Sequence, residues 1–99
     1  MMNNGLTAAQ YERLVKLIEE CSEVIKVACK IQLHGYASVN PYEPEKGNNL
    51  QLLIEEMGDY DAIMHLMILN GDIDAKAIHE RHQWKYSVLP QSLKEQHTF

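Results

Sequence analysis

Two acidic clusters hold the residues best suited to chemistry: Glu19-Glu20-Cys21-Ser22-Glu23, and Glu55-Glu56-Met57-Gly58-Asp59 further along the chain. On an α-helix, residues three and four apart share a face, so Glu20 with Glu23 and Glu56 with Asp59 form pairs of like charge. Exposed pairs of this kind cost roughly 0.2–0.5 kcal/mol each. Desolvation raises the cost. Leu17, Val24, Val27 and Ile31 lie on a stripe that Glu20 interrupts, and Leu52, Ile63 and Leu66 on one that Glu56 and Asp59 interrupt. Carboxylates gathered beside apolar walls must take up protons or bind cations. An all-oxygen donor set suits Mg²⁺, with Mn²⁺ as a substitute.

Three helices are expected to position these groups. The first, over about residues 7–34, opens on a capping-box pattern, Thr7-Ala8-Ala9-Gln10, and ends near Gly35. Leu14, Ile18, Cys21, Ile25 and Ala28 form one apolar stripe beside the one containing Glu20, so this helix needs cover on more than one side. Glu12, Lys16, Glu19, Glu23, Lys26 and Lys30 mark its polar face, which sets Glu23 at the water side of the cluster. The second helix, about 49–70, begins at Asn48 or Asn49 and stops at Asn70-Gly71. Gly58 in its middle costs about 1 kcal/mol relative to Ala, which points to close packing or ligand approach there. Ala62, one turn on, extends the small-residue patch. A third helix, about 72–88, is expected from an Asp72 cap to just before Pro90, followed by a polar tail, 91–99. The segment 36–48, with Tyr36, Pro41, Tyr42, Pro44 and Gly47, breaks all periodicity. It is either a surface crossover or a flap with Tyr36 or Tyr42 stacking on a base.

With 99 residues, 45% of them hydrophobic and 23% charged, the chain reads as one globular domain spanning 1–99. The longest nearly apolar run, Ala62 to Leu69, contains His65 and falls far short of the ~20 residues of a transmembrane helix. The opening residues lack the pattern of a signal peptide, so a cytoplasmic setting is expected. Cys21 and Cys29, eight apart on one helix, are separated by about 12 Å, beyond disulfide reach, and read as small hydrophobes. A net charge of −5 argues against a nucleic-acid partner. His79-Glu80-Arg81-His82 has the wrong spacing for a zinc-protease motif, and the chain carries no Gly-rich phosphate loop, Cys-pair zinc site or nucleophile elbow. The carboxylates remain the one constellation rich enough for catalysis.

Glu19-Glu20-x-x-Glu23 followed after a gap by Glu56-x-x-Asp59 resembles the signature of the MazG-like, all-α nucleoside triphosphate pyrophosphohydrolases. The likeness extends over about residues 10–86, through EECSEVIKVACKIQLHG and LLIEEMGDYDAIMHLMI, with Lys30, Gly35 and Gly58 in register. These stretches look like the small phage and bacterial members of that family. The resemblance implies that Glu20, Glu23, Glu56 and Asp59 bind Mg²⁺, and that an NTP or dNTP is cleaved between its α and β phosphates to a monophosphate and pyrophosphate. Glu19 is then either the general base or a solvated neighbour. Lys30, His34, Tyr36, Tyr42, Arg81 and Lys85 are the expected substrate contacts, Arg81 and Lys85 being either phosphate contacts or solvated. The chain departs from the small phage-type pattern at Leu33-His34, where Arg-Phe is usual.

Two long helices and a shorter third leave wide apolar surfaces. A homodimer or homotetramer that completes a four-helix core would cover them, as the resemblance also implies. Two alternatives remain: a phosphoribosyl-ATP pyrophosphatase-like enzyme, or a non-catalytic helical adaptor with a vestigial metal site.

Overall fold

Local hydrogen bonding fixes where the helices begin. In the computed structural model, which describes residues 3–99, the Thr7 hydroxyl accepts from the Gln10 amide while the Gln10 side chain accepts from the Thr7 amide. This capping box starts α1, Ala8–His34. Asn48 and Gln51 repeat the arrangement and start α2, Asn49–Leu69. Gly47 precedes it at φ +84°, where a Cβ would stand 2.3 Å from Gln51 Oε1, so glycine also keeps that box intact.

The end of α2 is a Schellman motif. Asp72 N–H donates to Met67 C=O at 2.9 Å and Gly71 N–H to Ile68 C=O at 3.0 Å, with Gly71 at φ +78°. Asp72 is therefore used up in stopping α2 and does not cap the next helix as expected. Asp74 does, accepting from Ala77 N at 2.9 Å, and α3 runs Ala75–Val88. The Asp72 side chain turns instead to Arg13, 59 residues earlier, in a two-pronged ion pair with N···O distances of 2.5 and 2.9 Å. The Arg13 guanidinium holds the Asp72 carboxyl below the usual carboxylate range.

That pair joins the start of α1 to the end of α2, and Asn49 Nδ2 donates to Gly35 C=O at the opposite end. The two helices thus form an antiparallel hairpin, packed along their lengths. Val27, Ile63 and Met67 are its buried apolar residues among those described. On α1 the covered stripe is the one that contains Glu20, while Ile18 and Ile25 from the neighbouring stripe stay exposed. The connection between the helices is laced together by a Val39–Asn48 bridge, by Asn49 N–H to Ser38 C=O at 2.9 Å and by a short 3₁₀ turn, Pro44–Lys46.

Gly58 is exposed, and a Cβ built there meets nothing within 4 Å. Of the two readings of Gly58, close packing is not made by the described residues, because α1 covers the other side of α2. Helix α3 packs on neither hairpin helix to any extent and leads through a 3₁₀ turn, Leu89–Gln91, into the tail. The architecture is all-α. Its radius of gyration is 17.0 Å, against about 13 Å for a compact chain of this length.

Candidate metal centre and adjoining cavity

Antiparallel packing sets the middle of α1 against the middle of α2 and brings the two acidic clusters together. One carboxylate oxygen each from Glu20, Glu56 and Asp59 lies within 4.8 Å of the others. Glu20 is buried, Glu56 half-buried and Asp59 exposed, so the group runs from the helix interface out to solvent. Burial raises the Glu56 pKa, and the charges of Glu23, Asp59, Glu20 and Glu55 raise it further. Three hard oxygen donors of this charge fit a divalent cation that completes its coordination with water.

Glu23 stands beside this trio rather than within it. It is near enough to be the leading charge acting on Glu56, and it lines the neighbouring cavity. Glu19 points away. Lys16 Nζ lies 3.3 Å from Glu19 and 3.4 Å from Glu20, so it partly neutralises the buried acid from the solvent side and holds Glu19 outward.

The cavity, of about 470 Å³, opens between the hairpin and residues 38–47. Its α1 wall carries Glu23, Lys26, Val27, Lys30 and His34, and its α2 wall carries Asn49, Leu52 and Glu56. Ser38 to Pro41, Glu43, Lys46 and Gly47 close it from the connection. Acids at one end and three cationic or titratable side chains along one wall form a concave surface with separated charge, of a size that holds a small molecule.

Of the expected substrate contacts, Lys30 and His34 line this cavity. Tyr36 and Tyr42 do not, Tyr42 being 92% exposed. Arg81 and Lys85 line a separate groove on α3 with Ile73, Ala77 and Ile78, and Arg81 lies 3.8 Å from the centre of the Trp84 ring. The structure adds Lys26, Lys46, Ser38, Asn40 and Asn49 to the cavity. Lys26 was legible: it continues the face that runs from Glu23 to Lys30. The loop residues and Asn49 were not, because their placement depends on how the connection folds back. Comparison with models of protein families, with curated proteins and with solved structures yields no match. Among the described residues no helix is long and apolar enough to cross a membrane.

Proposed function

We propose that this protein is a Mg²⁺-dependent nucleoside triphosphate pyrophosphohydrolase of the MazG-like type, releasing pyrophosphate and a nucleoside monophosphate. One observation carries the reading: a three-carboxylate cluster, in which burial and like charge raise the Glu56 pKa, opens into a cavity whose α1 wall bears Lys26, Lys30 and His34. Glu20, Glu56 and Asp59 would hold the cation, and Glu23 stands next to them at the cavity side. When bound, the cation offsets phosphate charge and lowers the pKa of a water. The chain's own residues do the rest. Lys26 and Lys30 attract the remaining phosphate charge, and Val27 and Leu52 give the cavity a dry stretch between its charged ends. Glu23, beside the cation ligands, is the better-placed proton acceptor, since Glu19 is turned to Lys16.

The acidic pattern's resemblance to the family supports the same reading. So does the exposed apolar surface, Val15, Ile18 and Ile25 on α1 and Leu50, Ile54 and Met57 on α2, which a second copy of the chain would cover in a homodimer or homotetramer. Incubation of the protein with Mg²⁺ and each common ribo- and deoxyribonucleoside triphosphate, and with phosphoribosyl-ATP, with detection of pyrophosphate, tests the activity directly. Release from at least one is expected. No release from any favours the adaptor alternative, and release only from phosphoribosyl-ATP would place the enzyme with that pyrophosphatase.

A further inference from the structure

Asn49 is the cavity residue that neither the acidic cluster nor the cationic wall explains. It is 94% buried, its exposure being 6%, and it lines the cavity. Asn48 performs the helix capping, so Asn49 is not needed for that. Its Nδ2 donates to Gly35 C=O at 3.0 Å. This contact fixes the carboxamide's orientation, because an oxygen placed there would face another oxygen. Oδ1 therefore points the other way. It accepts no hydrogen bond among the described residues, and no enclosed side-chain polar atom is left without a partner, so Oδ1 opens into the cavity. An acceptor that faces the cavity with no partner from the chain is free for a ligand donor, which would replace water there.

Its position along α2 says which part of a ligand that is. Asn49 precedes Glu56 by seven residues, which puts both on one helix face about 10 Å apart along the axis. Phosphates held at the carboxylates leave the nucleoside extending toward Asn49. An outward acceptor repels phosphate oxygens. It suits an N–H, and the second Nδ2 hydrogen supplies a donor next to it, the adjacent donor and acceptor with which a carboxamide reads a base edge.

We propose that Asn49 is the specificity-determining residue, its carboxamide pairing with the hydrogen-bonding edge of the nucleobase. The inference rests on the nucleotide-hydrolase reading above. Its test is the rate of pyrophosphate release by wild type, Asn49→Asp and Asn49→Ser over the common ribo- and deoxyribonucleoside triphosphates. The ranking of bases should change in both variants, with KM for the best wild-type substrate rising about tenfold, the scale of one lost hydrogen bond, and kcat moving less. A merely structural tie to Gly35 would instead lower kcat for every base alike and leave the ranking intact, which would overturn the proposal. A change confined to ribose against deoxyribose would overturn it too. If circular dichroism shows that both variants unfold, the wild type carries the test. Triphosphates of base analogues stripped of the exocyclic amino or oxo group should then have KM values about tenfold above their parents, and equal values refute the assignment. Wild type that releases pyrophosphate from nothing sinks the hydrolase reading as well, whereas turnover with an unmoved ranking sinks the role of Asn49 alone.

Discussion

The hairpin of α1 and α2 and the third helix are built from equally good local signals, yet they end in different states. All three helices have side-chain N-caps, and α3 adds its own surface contacts: Arg81 over Trp84, His79 stacked on His82, and His82 on Tyr86. Among the described residues, the buried apolar side chains all belong to the hairpin. Caps and neighbour contacts decide that a segment is helical, but they contribute only tenths of a kcal/mol to about 2 kcal/mol each. Burial between helices is what holds a helix in one place, and the carboxylate cluster and the cavity both lie where that burial occurs. A helix of 14 residues with no buried side chain is marginal alone. On the proposed reading, the chemistry therefore belongs to the hairpin rather than to α3.

Activity offers the sharpest way to break the comparison. Glu56→Gln or Glu20→Gln should lower turnover at least about 100-fold while helicity persists, given that even groups behind metal ligands are worth ~10–100-fold. Arg81→Ala combined with Lys85→Ala should change it little. A large loss in the α3 double variant would mean that α3 of one copy reaches the cavity of another. In the same Glu56→Gln variant the apo protein should melt higher than wild type, since a charge that is both desolvated and repelled has gone. Mg²⁺ should raise the melting temperature of wild type and not that of the variant.

Packing gives the next contrast. Ile63→Ala removes a side chain buried at the hairpin interface and should cost about 2–5 kcal/mol. Trp84→Ala on α3, where the ring is 49% exposed, should cost no more than about 0.5 kcal/mol if nothing covers it. Equal destabilisation by denaturant titration would reveal a partner on α3. Sedimentation of wild type should then show the dimer or larger assembly that we infer, and a compact monomer at micromolar concentration would rule it out.

The Arg13–Asp72 pair, which links the two ends of the hairpin across the turn into α3, predicts a smaller and pH-dependent effect. Arg13 lowers the Asp72 pKa in the folded state below its ordinary 3.8, so the pair's contribution is complete above that value. It is lost as pH falls through the lowered pKa. Asp72→Asn should therefore melt below wild type at neutral pH, with the difference closing only in strong acid. A gap that is constant with pH would show that the contact contributes by shape rather than charge. The smallest effect is expected from Tyr42→Ala, whose side chain is 92% exposed and outside the cavity. Its melting temperature and KM should match wild type; a large rise in KM would restore the flap reading of the connection.

What sequence alone determined here was whatever local bonding decides. Thr7 with Gln10, and Asn70 before Gly71, mark helix limits because each signal acts within one turn of chain. Acids three apart had to share a face, and the stripe beside Glu20 and Glu56 was visible because helical periodicity is itself local. The tertiary structure decided what depends on register between distant segments. Both stripes on α1 were apolar enough to be covered, and only the pairing with α2 selected the one containing Glu20. That register set Glu23 beside the carboxylate trio rather than inside it, and it closed a cavity over the face that carries Lys26 and Lys30. Asp72 looked like a cap, but a partner 59 residues away and a Schellman turn claimed it. Asn49 looked interchangeable with Asn48 until the folded connection brought Gly35 to its amide. These outcomes rest on many weak packing and hydrogen-bonding contacts summed over two helices, and no short stretch of sequence encodes such a sum.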